Sequence, residues 1–366
     1  MSTPNQALAL AALNHQSNLT KPQGSLGKLE ELAVWFAARS NSAIPGRLQP
    51  AIVVFAADHG VVAEGVSAFP KEVTGQMVAN FVGGGAAINV LAREVGASLS
   101  VVDVGVASSY STVLTSGAQL FRVPVCAGTG NLRVEPAMSE PECHKAWSIG
   151  VGSAQEGFIR GKTLLIGGEM GIANTTAAAA LICALTGIEP EEIVGLGTGI
   201  SATSREHKVQ VVKDALVRAR AAGAVSAKDW LMHVGGLEIA ALAGFYTGAA
   251  EAGIPILLDG FITTAAALVA VKNQPRVADW LLASHVSDEK GHRHALAALQ
   301  LEPLLALGLR LGEGSGAALT IPLIQSALAL HPEMATFSSA GIATREWFNT
   351  ATPRGNNGAC WHVNWP

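Results

Sequence analysis

The sequence predicts an α/β protein built on a doubly wound, mainly parallel sheet, and three observations carry that prediction. First, 49% of the 366 residues are hydrophobic but only 5% are aromatic, so the apolar content is mainly Ala, Val, Leu and Ile, with 40 glycines besides. That mixture suits helices packed closely on a buried sheet. Second, short continuous apolar runs recur along the chain, each ending in or near Gly or Asp and most followed by a helical stretch. Third, charged residues are scarce (14%), which excludes disorder over most of the length.

Taken in order, residues 5–45 read as helical, with a break at Pro22-Gln23-Gly24, after which Leu26, Leu29, Leu32 and Ala33 form a helical stripe. The strand candidates are Ala51–Ala56, Leu99–Gly105, Thr163–Ile166, Ile193–Leu196 and Ile254–Leu258. In a doubly wound sheet ligands sit beyond the carboxyl ends of such strands, where the Gly-rich loops lie. After Pro303 the chain reads as helical again through Leu304–Leu311 and Ala317–Leu330. The stretch 342–366 carries Trp347, Trp361 and Trp365 among Asn, Thr, Gly and Pro and is given no function.

Charge and cysteine usage narrow the partners. The balance of 24 basic against 28 acidic residues, net −4, comes with no Lys/Arg block, so nucleic acid is not expected as a partner. The opening residues lack a basic region followed by a long apolar core, so no secretory signal is expected. The most apolar runs, near Ala177–Leu185 and Ala265–Val271, fall short of a membrane span. Four scattered cysteines without a CxxC pair read as reduced thiols of a cytoplasmic protein.

Four loops could carry chemistry. Asp58-His59-Gly60 reads first as a strand-end Asp capping a turn with its His packed nearby, and second as a general base or metal ligand. Gly167-Gly168-Glu169-Met170-Gly171 leads into Asn174-Thr175-Thr176 and an Ala-rich helix. Its glycines let backbone N–H groups approach a ligand, and the helix start attracts phosphate. Glu169 would repel phosphate, which suits it better to a sugar hydroxyl or a cationic ring. In Leu258-Asp259-Gly260 the acid either accepts from a ribose hydroxyl or caps the next helix. In Gly312-Glu313-Gly314-Ser315-Gly316 three glycines cost helix stability around a carboxylate that no neighbouring side chain shields, which points to function.

Familiar signatures fail. Gly161-Lys162-Thr163 precedes its strand instead of following it, and Gly195–Gly199 is GxGxG, not GxGxxG. His292-Arg293-His294 lacks a third ligand at zinc spacing and there is no HExxH, so no metal is expected. A nucleotide-binding oxidoreductase would need GxGxxG after the first strand, which here ends in ADHG. A non-catalytic binding protein would have no need of a lone carboxylate among glycines.

Together, KPQGSLG (21–27), ADHGV with EGVSAFP, GGEMGIANTT, VGGLE (234–238), LLDGF, SHVSDEKG (284–291) and RLGEGSGAAL, in this order between about Lys21 and Ala340, resemble one family. It is the nicotinate-nucleotide:dimethylbenzimidazole phosphoribosyltransferase family of cobalamin biosynthesis. The resemblance implies a Rossmann-like large domain over 46–300, a small helical domain from 1–45 with 301–341 that completes the active site, and a tail over 342–366. It also implies a homodimer acting on small-molecule substrates, with no cofactor.

The implied reaction moves ribose 5-phosphate from nicotinate mononucleotide to 5,6-dimethylbenzimidazole. By the resemblance Glu313 is the general base and Glu169 a second active-site carboxylate near the ribose or nicotinate. Gly171, Asn174, Thr175, Lys208, Ser287 and Gly314 fall around phosphate and ribose, with Asp259 facing the sugar. Ser67, Phe69, Gln76 and Met77 form the wall of the benzimidazole pocket. The loop around Phe69 and Met77 varies in the family, so the base itself, whether another benzimidazole, adenine or a phenolic, is left open.

Overall fold

Six strands form one sheet: β1 (Pro50–Ala57), β2 (Ser98–Gly105), β3 (Gln119–Arg122), β4 (Leu164–Met170), β5 (Ile256–Leu258) and β6 (Leu281–Ala283). Their order is β3-β2-β1-β4-β5-β6 and every pairing is parallel. The chain therefore starts mid-sheet, winds out to β3, and returns to β4 on the other side of β1. The reversal leaves a crevice between the carboxyl ends of β1 and β4, where such sheets bind ligands. These two ends are level, since Phe55 pairs with Glu169 and Ala56 with Met170. All eight residues of β1 are buried, as helix-covered faces on both sides require.

The computed structural model describes Met1 and residues 3–111, 117–197, 199 and 201–343. The chain divides into two compact units. The first, Met1–Pro4 with Leu48–Leu323, contains the sheet and its helices; the second comprises Asn5–Arg47 and the described residues from Ile324 to 343. The expected domain division assigns 301–323 to the helical ends, whereas these residues group with the sheet unit. Backbone pairing is the reason: Leu305 N–H donates to Ser284 O, and Leu305 O accepts from Val286 N–H.

The abundance of Ala and Gly has a packing explanation. Helix Leu237–Ala252 is buried along nearly its whole length and lies against helix Glu140–Ile159. A Cβ at Gly150 would run into the carbonyl oxygen of Ala241, and one at Gly244 into that of Trp147. These helices meet backbone to backbone, which only residues without side chains permit.

Several sequence expectations change. The strand expected at Thr163–Ile166 runs on through Met170 and so carries Glu169 within the sheet. Ile193–Leu196 is not a strand: Pro190 begins a four-residue helical turn ending at Ile193, and residues 194–196 take no place in the sheet. Leu304–Leu311 is extended and not helical, held by the pairing just described and by Asp288 N–H donating to Leu309 O. Strands β3 and β6 escape sequence reading because one is a mostly exposed edge and the other spans only three residues.

In the second unit, helices Gln6–Asn18 and Lys28–Ala38 flank the KPQGSLG turn. Lys21 pairs with Glu30 at 2.8 Å, and Glu30 accepts the Leu26 N–H at 3.0 Å, so the turn folds onto the following helix. The Trp-rich stretch lies outside the described residues from position 344. No helix among the described residues is long and apolar enough to cross a membrane.

Candidate active site

The site begins with one carboxylate at the end of β4. Glu169 is the penultimate residue of the strand, buried, with Asn174 Nδ2 donating to its Oε2 at 2.5 Å. Asn174 opens the Ala-rich helix Asn174–Thr186, so strand end and helix start are clasped across the turn Gly171–Ala173. Ala173 within that turn has φ +74°, a left-handed conformation that costs a non-glycine residue energy. Burial pushes the Glu169 pKa up to about 8; Asn174 opposes this, while Asp259, Glu238 and Glu313 push in the same direction.

The second carboxylate sits on a bend of three consecutive left-handed residues, Gly312 (φ +86°), Glu313 (φ +65°) and Gly314 (φ +90°). The glycines have a steric purpose. A Cβ on Gly312 would collide with Glu169 Oε1, and one on Gly168 with the Glu313 carbonyl oxygen. A Cβ on Gly314 would press on Ile52 and Ile166 of the central strands at 3.2 and 3.5 Å. The bend thus lies directly on β1 and β4 and brings Glu313 beside Glu169. Glu313 is only 5% exposed, and its Oε2 has no hydrogen-bond partner. Burial raises its pKa to about 7, against the Ile88 backbone amide, and Asp259 adds to the rise.

Asp259 holds this bend from below. Its Oδ2 accepts the Gly314 N–H at 3.1 Å and its Oδ1 the Ala317 N–H at 3.0 Å, capping the helix Ser315–Glu333. The cap expected on the next helix is not seen, since helix Phe261–Asn273 has no side-chain cap; Asp259 instead caps a helix start, reaching Ala317 58 positions along the chain, and it does not line the cavity. Burial lifts it to about 6, opposed by those same amides.

A cation marks the other end of the cavity. Lys208, from helix Ala202–Ala221, is 1% exposed and its Nζ donates to Thr175 Oγ1 at 2.6 Å. Burial lowers its pKa to about 8, with Glu289 opposing. Gly171 and the start of helix Asn174–Thr186 line the cavity beside it, with the Ile172, Asn174 and Thr176 N–H groups already donating to Thr74 Oγ1, Gly171 O and Ala173 O.

One cavity brings together Glu169, Glu313, Lys208, Gly171, Asn174 and Thr175, and Ser67 and Ser287 also line it. Gly314 lies immediately behind the wall, bonded to Asp259. Phe69, Gln76 and Met77 are not among the lining residues; Phe69 and Gln76 are exposed and Met77 half-buried. Asp58 accepts the Ala107 N–H at 2.8 Å, just past the end of β2, and does not cap its own turn.

Other residues belong here too, and of these the sequence reading weighed only His59 as a chemical group. His59 and Glu238 form a fully buried pair at 2.6 Å behind Gly171, where a Cβ would meet both. His285, Glu289 and Arg310 line the cavity. Their only signal in the sequence is proximity: two lie in SHVSDEKG around Ser287, and Arg310 is three residues before Glu313.

A carboxylate with a pKa near neutrality and a free oxygen is equipped to take a proton, a second buried carboxylate lies beside it, and a lysine lies across the cavity. Comparison with known proteins identifies the family. A phosphoribosyltransferase family model matches residues 1–342. The nicotinate-nucleotide–dimethylbenzimidazole phosphoribosyltransferase of Chromobacterium violaceum is 54% identical over 333 residues, covering 91% of this chain and 95% of that protein. Its counterpart in Xanthomonas axonopodis pv. citri is 50% identical over 342 residues, covering 93% and 97%. The crystal structure of CobT from Thermus thermophilus superposes with a TM-score of 0.87 at 46% identity, covering 92% of this chain and 99% of that one. By fold, sequence and the match over residues 1–342, this chain belongs to the nicotinate-nucleotide–dimethylbenzimidazole phosphoribosyltransferase family.

Proposed function

We propose that the protein transfers the phosphoribosyl group of nicotinate mononucleotide to 5,6-dimethylbenzimidazole, giving α-ribazole 5′-phosphate and nicotinate, with Glu313 as the base. The carrying observation is the Glu313 carboxylate, buried on a left-handed bend, with one oxygen unpartnered and its pKa near 7.

The bond changes match these groups. Nicotinate is attached to C1′ as a pyridinium, so it departs with the bonding pair, becomes neutral at nitrogen, and needs no acid. Positive charge develops at C1′ as the bond breaks. A benzimidazole nitrogen then gives its lone pair to C1′, and the hydrogen on the other ring nitrogen becomes acidic. Glu313 takes that proton, and Glu169 when ionised stabilises the positive charge. Lys208, Thr175 and the start of helix Asn174–Thr186 hold the 5′-phosphate at the far end.

The homodimer and the cytoplasmic setting are part of the same proposal, resting on the family resemblance and on the free thiols of Cys126, Cys143 and Cys183. The substrate pair is tested by incubating purified protein with nicotinate mononucleotide and dimethylbenzimidazole and separating the products. Appearance of α-ribazole 5′-phosphate with equimolar nicotinate is expected. Absence of any ribosylated product from benzimidazoles or purines overturns the reading. Lys208→Ala should raise KM for the nucleotide by about 10–100-fold, as loss of a charge-assisted contact requires, with a smaller effect for the base.

A further inference from the structure

Glu289 is a buried carboxylate that the transfer mechanism does not use. It lines the same cavity as Lys208, Thr175 and Arg310, at the end assigned above to phosphate. It is 8% exposed, and its Oε2 has no hydrogen-bond partner. The loop beside it is shaped to admit it: a Cβ at Gly195 would collide with Oε2. Arg310 is held by donating from Nη1 to Gly197 O at 3.2 Å, and the same glycine borders Lys208 Nζ.

A carboxylate is a poor neighbour for a fully ionised phosphate, and the charges around it are countable. Facing Glu289 are Lys208 from helix Ala202–Ala221, Arg310 from the extended 301–311 segment, and Asp288 beside it in the chain. The nearby turn Pro190–Ile193 carries Glu191 and Glu192, which are engaged by Lys213 and Lys290. His285 and His292 on the adjoining segment are held toward their neutral forms by burial. Asp288 is exposed and screened by solvent, so in the buried set two cations oppose one carboxylate. A dianion added to this set leaves an excess negative charge in a desolvated space, whereas one shared proton restores balance. A phosphate monoester can hold that proton, because its second pKa is about 6. Sulfate cannot.

We propose that Glu289 shares a proton with the bound phosphate in an O–H···O contact, so that this pocket selects protonatable phosphate over an isosteric anion that is fully ionised. The inference rests on the phosphate reading of the Lys208 pocket. It adds a specificity-determining residue, with the proton arriving from solvent or with the phosphate itself and no other bond changing.

Calorimetric titration of the full chain with inorganic phosphate and, separately, inorganic sulfate at equal ionic strength near neutral pH tests it. Wild type should bind phosphate about 10-fold or more tighter than sulfate, since a carboxylate facing a fully ionised anion has an unpaired acceptor on each side. Glu289→Gln, whose amide can donate, should bring the two dissociation constants within about twofold, chiefly by strengthening sulfate binding. Glu289→Ala serves as a second variant, and the ratio of two constants on one sample does not depend on the folded fraction. Equal binding of both anions by wild type, no phosphate binding, or an unchanged ratio in both variants overturns the proposal. Lys208→Ala separates the two readings. If it weakens both anions while the Glu289 variants leave the ratio intact, only the Glu289 role fails; if it changes neither constant, the phosphate pocket fails with it.

Discussion

The carboxylate of Asp259 holds the backbone of Gly314, the residue directly after Glu313, at 3.1 Å. The proposed base is thus positioned by a second acid that does not line the cavity. Asp259 leaves the C-terminal end of β5, accepts from Gly314 and Ala317, and fixes both the left-handed bend and the start of helix Ser315–Glu333. Asp259→Asn keeps the shape but turns a donor toward one of these amides. Loss of a buried, charge-assisted bond should cost about 1–3 kcal/mol. Thermal unfolding should show that loss together with a fall in kcat, and an unchanged melting temperature would mean the bend is held by other contacts.

Glu313 should set the alkaline requirement of the reaction. With its pKa near 7 in the free enzyme, kcat/KM should rise with pH through that region and level off once the group is ionised. Glu313→Gln should lower kcat by about 10²–10⁴-fold, the usual worth of a positioned base, with nucleotide binding retained. The rising limb of the pH profile should vanish in that variant; a profile with the wild-type limb would assign the titration to another group.

Stability should move opposite to activity. The pKa values of Glu313 and Glu169 rise from the ordinary 4.5 to about 7 and about 8 on folding, so the folded state binds more protons than the unfolded chain between these limits. Stability therefore falls as pH rises from the unfolded value through the folded ones. At pH above this window Glu313→Gln should raise stability by roughly 1–3 kcal/mol, allowing for partial relaxation of the desolvation cost. Near pH 4.5 the gain should disappear. Denaturant unfolding of both proteins at the two pH extremes checks the sign.

Gly312→Ala should disable the site while leaving the sheet alone. The new Cβ meets Glu169 Oε1 and must occupy φ +86°. Backbone strain of about 1–3 kcal/mol, together with displacement of both carboxylates, should lower kcat at least about 10-fold. Gly65→Ala, with open space at its Cβ and a similar φ of +68°, is the control for left-handed strain alone. Equal activity loss in both variants would show that the Glu169 contact is immaterial.

Sequence alone was enough for the parallel sheet, for the two segments bearing Glu169 and Glu313, and for the family, because those features are written in contiguous residues. An apolar run buried on both faces, a glycine that admits a left-handed bend, and a motif of ten residues are local properties. Motif position assigns Phe69, Gln76 and Met77 to the pocket wall but carries no information on which residues a folded cavity exposes, and these three are not among its lining residues. The extended 304–311 segment shows the same limit: its residues suit a helix, and backbone bonds to Ser284, Val286 and Asp288 decide otherwise. Only the tertiary structure could carry Asp259 to the start of helix Ser315–Glu333, pair His59 with Glu238, 179 positions apart in the chain, or set Glu289 facing Lys208 and Arg310. Those relationships arise where separate strands end on one edge of the sheet, and burial at that edge is what shifts the carboxylates toward neutral pH.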